Sequence, residues 1–575
     1  MKHSLRILCI KFAVILLLVS IFSWCGYKRL GCPAAGVDDA NIFMVYAKHF
    51  SAGHGFVYNI GGERVEGFSS LLYVLILASL YSLSSNPERL IWLFNVLIVS
   101  CGLTSVTAYL DKLNGHDKES EKQINGLFSF ESLLVLAFTF SCPAYVCWTT
   151  VSLMDAGLWS SLLLVSSVIT CRALSSENRL YKNAWYVCIP LMVMTRPEAL
   201  LWVPGLLSCY GIIRYLNTRD VKSVGGEIAA SLIIFVASEL SLMIFRLCYF
   251  GFPFPNTYYA KVSPDMVLGF LLGLGYAKSF IMSSAITTSA LICAPLYLLL
   301  VMNEYLKTDG LVAGGNNYRL CASIMCVFAL IMPVVVGGDH FRWFRFYQFI
   351  WPLIALPLYG VIDFIMRHAH LQTPLTVTKN ARCLIIGCGF MVFSLVATPS
   401  WYDNSSPDIT HEGRLASRGR KVGDVLNIFF NPDLLPTVGV VSAGGIKYTY
   451  QGIVYDLMGL NNVAMAHYPG DRQGIRNHAA FSKEIFNRLN PHILLPMVSD
   501  ESPAHVPFNH KWYGSVFKGM LNDEEFKARY SFVSARSTRR MHPCYVYGYF
   551  RNDFIRTLKA EKICDISFLE NPPGS

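Results

Sequence analysis

Charge is scarce in this sequence. Of 575 residues only 15% are Asp, Glu, Lys or Arg, against 53% hydrophobic, and the mean hydropathy is +0.41. A soluble chain carries about 25% charged residues, so the shortage excludes an ordinary soluble globule and points to a polytopic α-helical membrane protein. Paired metal-ligand spacings are also missing. The 17 Cys and 14 His form no Cys-x-x-Cys or His-x-x-x-His pattern, so no metal is expected. No internal repeat or low-complexity segment appears, which argues against a transporter built from repeated halves. The net charge of +10 is modest and spread out. It reads as positive-inside anchoring and contact with anionic lipid, with no nucleic acid among the partners. Most cysteines lie in apolar runs as small hydrophobes. Cys544 and Cys564, in the hydrophilic tail, are expected to pair in an oxidising compartment.

What the chain has in quantity is apolar runs. Lys2, Arg6 and Lys11 open the first, read as a retained helix with its N-terminus inside rather than a cleaved signal. The short run from Phe68 to Leu83 is read as a juxtamembrane or re-entrant helix, because counting it as a span would put the later basic loops outside. Further spans are expected near residues 90–110, 128–147, 157–172, 184–195, 199–213, 227–248, 285–302, 320–336, 346–366 and 383–399. Loops bearing Lys112 and Lys118, Arg172 and Lys182, Arg214 and Lys222, Lys307 and Arg319, and Arg367 and Arg382 then all face the cytoplasm. The total is about eleven spans. Beyond Trp401, strand-length runs at 437–441, 453–457 and 492–496 and a helix near 478–489 indicate an α/β domain. The expected organisation is therefore a membrane domain of residues 1–400, with residues 28–89 as its first outer loop, and an outer α/β domain of residues 401–575.

The polar residues that interrupt this greasy chain gather, on that topology, at one membrane face. The first outer loop carries Asp38 and Asp39, then His54, Tyr58, Arg64 and Glu66. Asp155 follows a later span, Arg196 and Glu198 lie between two short spans, and Asn256, Tyr259 and Lys261 follow another. Asp339, His340, Arg342 and Arg345 complete the set. Helix-end pairing, such as Arg196 with Glu198 or Arg342 with Asp339, accounts for individual positions. A shared site accounts better for carboxylates, cations and aromatics collecting at one face. Such a site offers Arg196, Lys261, Arg345, Arg342 and His340 for a phosphate. It offers aromatics for a sugar and carboxylates for acid–base work. The chemistry this fits is glycosyl transfer from a polyprenyl-phosphate sugar, with no metal or other cofactor. Two adjacent carboxylates do not both ionise cheaply, so one of Asp38 and Asp39 is expected to catalyse and the other to orient, with Asp38 favoured as base.

The ordered motifs Val37-Asp38-Asp39-Ala40, Ala52-Gly53-His54-Gly55, Gly62-Glu63-Arg64-Val65-Glu66-Gly67, Thr195-Arg196-Pro197-Glu198, Pro255 to Lys261 and Gly337-Gly338-Asp339 resemble the bacterial GT-C glycosyltransferases. More narrowly they resemble the terminal arabinofuranosyltransferases of mycobacterial arabinan and the pilin-modifying type. That resemblance covers roughly residues 30 to 400. It implies a GT-C-like fold, catalytic aspartates at Asp38 and Asp39, and a polyprenyl-phosphate donor carrying D-arabinofuranose. It also implies an extracytoplasmic glycan or protein acceptor, and a multi-pass protein of the bacterial inner membrane with its site on the periplasmic side. The alternatives are another lipid-linked sugar (mannose or aminoarabinose) or a lipid-linked glycan transporter or ligase. Ser152-Leu153-Met154-Asp155 departs from the Gly-Leu-Glu-Thr of many relatives, with Asp155 standing one position from their Glu. The Gly444-Gly445 turn reads as a plain strand-to-helix turn before a phosphate loop.

Overall fold

The structure is a computed structural model that describes residues 2–30, 35–114, 127–175, 179–218, 221–261, 266–283, 285–308, 314–339, 341, 343–368, 409–430, 435–470, 480–501, 509–537 and 544–569. The expected span at 383–399, His340 and Arg342 lie outside these residues. The chain forms two compact units. One comprises residues 1–32, 88–242 and 265–409; the other comprises 33–87, 243–264 and 410–575. The division therefore differs from a single boundary at 400. Residues 33–87, most of the expected first outer loop, and the segment around Asn256 and Lys261 fold with the C-terminal residues.

The first unit is helical, and the molecule is a polytopic α-helical membrane protein. Seven helices among the described residues are long and apolar enough to cross a bilayer: Leu5–Lys28, Glu88–Leu113, Ala156–Leu174, Ala199–Leu216, Val224–Phe250, Thr287–Tyr305 and Asn317–Val335. An eighth candidate is a bent pair, Phe130–Ser141 and Pro143–Val151, turned by 80°. The break has a local cause. Pro143 lacks an N–H and so begins a new helix after Cys142, and the continuation winds into a π-turn at Cys147–Val151. The expected span at 346–366 is likewise interrupted, running as Arg345–Gln348, a 3-10 turn at Trp351–Leu353 and a helix Ala355–His368. The expected span at 184–195 belongs to the 17-residue helix Arg179–Thr195, which carries Arg179 and Lys182 in its first turn. An apolar 16-residue helix at Met266–Ile281 was not anticipated. Ala156–Leu174 is 78% buried and Asn317–Val335 is 72% buried, so these two spans form the middle of the unit.

The second unit is built on a six-stranded sheet: β1 Val438–Val440, β2 Val454–Asp456, β3 Ile493–Ser499, β4 Tyr530–Ser537, β5 Tyr545–Arg551 and β6 Cys564–Phe568. The strand order is β2-β1-β3-β5-β4-β6. β1 is parallel to β2 and β3, and the remaining pairs are antiparallel. The first three strands fall where sequence periodicity places them. The expected Cys544–Cys564 disulfide is absent, and both are buried free thiols. Cys544 immediately precedes β5 and Cys564 opens β6, with β4 between those strands. Two strand spacings of about 4.8 Å exceed the reach of a disulfide. The apolar helix Leu71–Tyr81, expected as juxtamembrane, lies in this unit, capped by the Ser70 hydroxyl accepting from the Tyr73 N–H.

Candidate active site

In the second unit the aspartate pair opens the helix Asp38–Ser51, whose first turn favours negative charge. Adjacent positions on a helix point about 100° apart, and the two carboxylates meet different surroundings. Asp38 is buried (6% exposed). Its two oxygens accept hydrogen bonds from the Gly444 N–H (3.0 Å) and the Gly445 N–H (2.8 Å). The turn after β1 can approach this closely only without side chains: a Cβ on Gly444 would sit 1.9 Å from the Asp38 carbonyl oxygen. Desolvation raises the Asp38 pKa to about 6, with the two N–H groups opposing that rise and Asp39 and Asp456 adding to it. Asp39 is 22% exposed, and its Oδ2 lies 3.7 Å from Nζ of Lys261, itself 28% exposed. That separation is an ion pair without a direct hydrogen bond.

The residues around the pair are held from both directions along the chain. Tyr46 donates to Asn461 Oδ1 (3.1 Å), Tyr58 to the Ala443 carbonyl (2.7 Å), and Asn59 exchanges two hydrogen bonds with the backbone of Val454. Asp456, at the end of β2, folds the next loop over itself. It accepts from the Met458 N–H, the Asn461 N–H and the Asn461 side-chain amide, each at 2.9 Å. Burial raises Asp456 to about 6 despite these donors. The carbonyls of that loop, Gly459 and Leu460, accept from the Asn256 amide at 2.7 and 3.1 Å. Asn256 thereby fixes the start of the short helix Asn256–Lys261 that ends in Lys261. The segment Asp456–Asn462 thus packs as a scaffold for the pair. Glu66 takes a bidentate salt bridge from Arg246 (2.8 Å), with burial pushing its pKa up to about 7 against the pull of the arginine. Arg64 stacks over Tyr249, 4.7 Å from the ring centre. Tyr259 packs on His467, while exposed His54 stands beside His49.

The helical unit holds a separate group of the expected residues. Arg196 grips Glu198 through Nε (3.1 Å) and Nη2 (3.0 Å), and Asp155 through Nη1 (3.0 Å). Arg345 pairs with Asp339 at 2.9 Å and lies over the Phe341 and Trp148 rings. All five charged groups are buried. Burial raises Asp155, opposed by Arg196, whereas at Glu198 burial is overcome by the Arg196 guanidinium, a backbone N–H and Arg345 together, and the carboxyl is lowered. Three residues here have left-handed backbones: Leu153 (φ 58°), two before Asp155, and Trp343 (φ 62°) and Phe344 (φ 50°), just before Arg345. Non-glycine residues hold such angles only where the surroundings impose them, commonly at functional positions. Arg196 and Arg345, expected as cations for a phosphate, already have carboxylate partners.

Sequence reasoning missed the partners of the pair rather than the pair. Gly444, Gly445 and Arg420, which donates to Asn41 Oδ1 (2.7 Å) while stacked on Tyr448, are all far along the chain from Asp38. Of these, the Gly-Gly dipeptide after a strand was the available signal, and the anion it holds is the chain's own carboxylate. Among the described residues no group of three or more His, Cys, Asp or Glu side chains is arranged to hold a metal ion.

No family model and no curated protein matches the sequence. Among solved structures the chain is similar to the archaeal oligosaccharyltransferase AglB from Archaeoglobus fulgidus in complex with an inhibitory peptide and a dolichol-phosphate. That alignment has 10% identity and a TM-score of 0.48, covering 94% of this chain and 74% of that one. It is similar as well to the Archaeoglobus fulgidus oligosaccharyltransferase in complex with Zn and sulfate (11% identity, 93% and 73% covered, TM-score 0.49). The apo form gives 11% identity, 94% and 74% coverage, and a TM-score of 0.48. At these scores the likeness carries no functional argument. All three are oligosaccharyltransferases, and the arabinofuranose expectation finds no support in them.

Proposed function

We propose that this chain is a membrane glycosyltransferase that moves a sugar from a polyprenyl-phosphate donor to an extracytoplasmic glycan or protein acceptor, with D-arabinofuranose as the first sugar to test. The observation that carries the reading is the different fate of two neighbouring aspartates. Asp38 is tied down by backbone N–H groups, and Asp39 is left partly exposed opposite a lysine it does not directly hydrogen-bond. A loosely held carboxylate–ammonium pair can open to take a hydroxyl on one side and a phosphate on the other. In this scheme Asp39, rather than Asp38, accepts the proton of the acceptor hydroxyl as its oxygen bonds to the anomeric carbon. The bond from that carbon to the donor phosphate breaks, polyprenyl phosphate leaves with the electron pair, and Lys261 offsets the charge it gains. Asp38 orients the helix, and Asn256 positions Lys261. Arg196 and Arg345 become positioning residues of the helical unit. The resemblance of the ordered motifs supports arabinofuranose. Mannose and aminoarabinose donors are the second reading within the same chemistry, and a lipid-linked glycan ligase or transporter is the reading outside it.

The test is transfer by the purified protein from polyprenyl-phosphate arabinofuranose, mannose and aminoarabinose to a mixed glycan acceptor. Transfer from one donor that is lost in Asp39→Asn supports the assignment. Donor translocation across vesicles without any glycosidic product would move the chain to the transporter reading.

A further inference from the structure

Between Arg246 and Lys261 the chain has no charged residue and six aromatic ones: Tyr249, Phe250, Phe252, Phe254, Tyr258 and Tyr259. This stretch completes the span Val224–Phe250 and runs on into the helix Asn256–Lys261, all of it within the second unit. Gly251, with φ 84°, ends the span, its N–H donating to the Arg246 and Leu247 carbonyls (3.1 and 3.2 Å). Pro253 and Pro255 stiffen the loop that follows, and the Asn256 N–H donates to the Glu66 carbonyl (3.0 Å). The aromatics beyond Gly251 divide into two pairs. Phe252 and Tyr259 both pack on the His467 ring, each with its centre 4.1 Å away. Phe254 and Tyr258 pack on each other (5.1 Å) and stay 44% and 46% exposed. With the loop held at both ends and its inner pair stacked, the outer pair is presented rather than folded away.

We infer that Phe254 and Tyr258 insert into the phospholipid interface beside the end of their own span, and that this contact sets the depth of Lys261. Continuity with the span names the occupant. Phe250 is the last residue of the span, and four residues carry the chain at most about 14 Å further to Phe254. Phe250, Phe252 and Phe254 also wall one cleft, so Phe254 stays beside the helix end. The last turns of the span present Ile244 and Leu247 outward as well. Aromatic side chains concentrate at this level of a bilayer, the ring entering the acyl boundary while a hydroxyl stays in water. A glycan stacked on the same rings would need hydrogen-bonding groups around them, and the exposed part of the loop offers side-chain hydroxyls alone. Lys261 follows Tyr258 by three residues, on the same side of their short helix. Anchored rings therefore hold its ammonium in the layer where lipid phosphates lie. The lipid contact is independent of the glycosyl-transfer reading; the role it gives Lys261 rests on that reading.

The experiment puts photoreactive p-benzoylphenylalanine in place of Phe254, Tyr258, Leu247 or Glu524 in the full-length protein, held in phosphatidylcholine nanodiscs, and reads the adducts by mass spectrometry. Leu247 is exposed on the span, and Glu524 is exposed on a charged helix beside the sheet. The expected result is phospholipid adducts at Phe254 and Tyr258 comparable to those at Leu247 and about fivefold or more above those at Glu524. No lipid adduct at Phe254 and Tyr258, equal labelling at Glu524, or adducts to a second copy of the chain instead would overturn the lipid contact. In the same nanodiscs the double variant Phe254→Ser with Tyr258→Ser should raise the KM for a polyprenyl-phosphate donor about tenfold at unchanged kcat. Its KM for a water-soluble short-chain donor in detergent should match that of wild type. An unchanged KM for the polyprenyl donor beside active wild type would overturn the role given to Lys261. Wild type that transfers no sugar would count against the reaction, and the crosslinks would still decide the contact.

Discussion

The buried carboxylates of the polar group in the helical unit and two of those in the sheet-bearing unit are held in opposite ways, while Glu66 of the sheet-bearing unit keeps the guanidinium of Arg246. In the helical unit Asp155, Glu198 and Asp339 are each matched to a guanidinium, a cation that stays charged at any accessible pH and offers a rigid fork of donors. In the sheet-bearing unit Asp38 and Asp456 are matched to backbone N–H groups and one amide side chain. Arginine neutralises a carboxylate, whereas backbone amides solvate it and leave its charge in place. A site that must keep a working carboxylate therefore suits the second arrangement, where the Lys261 ammonium stands 3.7 Å from Asp39. Ion-paired charge is rigid; amide-held charge keeps its influence on a neighbour.

The strongest effect is expected at Arg196. Arg196→Met should destabilise the protein by about 3–5 kcal/mol, because it strands Asp155 and Glu198 as buried unpaired acids. Denaturant titration in detergent measures it, and a loss below about 1 kcal/mol would show that the pairing is not structural. Asp38→Asn should cost about 1–3 kcal/mol, since the amide cannot accept from both glycine N–H groups. Asp39→Asn should stay within about 0.5 kcal/mol of wild type in the same titration, its side chain being partly exposed and its ion pair loose. Lys261→Gln should lower transfer about tenfold, the size of one lost charge-assisted hydrogen bond to the donor phosphate. Lys261→Arg should recover most of that loss.

A further effect concerns pH. Asp38 and Asp456 have folded pKa values raised from 3.8 to about 6, so each binds its proton more tightly folded than unfolded. Their stabilising contribution is present in full below about pH 4, is lost as pH rises to about 6, and is constant above that. Denaturation midpoints across this window should fall with rising pH, and Asp456→Asn should flatten the fall.

Much of this was legible in the sequence, for reasons that can be named. Long apolar runs with almost no charge read directly as spans, because a bilayer sets their length. The interrupted spans at Phe130–Val151 and Arg345–His368 were not legible as breaks, since hydropathy is blind to backbone turns. β1, β2 and β3 were visible as short apolar runs between turn residues. β4 and β5, with Arg536, Ser534, Tyr545 and Tyr547 among their residues, were not. At the site, Asp38 and Asp39 stand out as an acidic pair in a greasy chain. Their difference depends on Gly444 and Gly445, some four hundred residues later, and no local pattern announces a contact at that separation. The same distance hid the role of Asn461 and the association of residues 33–87 with the C-terminal sheet.

The most direct test of the central claim, that Asp39 works while Asp38 holds, is the initial rate of sugar transfer from a polyprenyl-phosphate donor by wild type and folded Asp39→Asn. Asp39→Asn is expected to lose about a hundredfold or more, the range of a removed general base, with an unfolding midpoint like that of wild type. A folded Asp39→Asn variant that transfers sugar at the wild-type rate would contradict it.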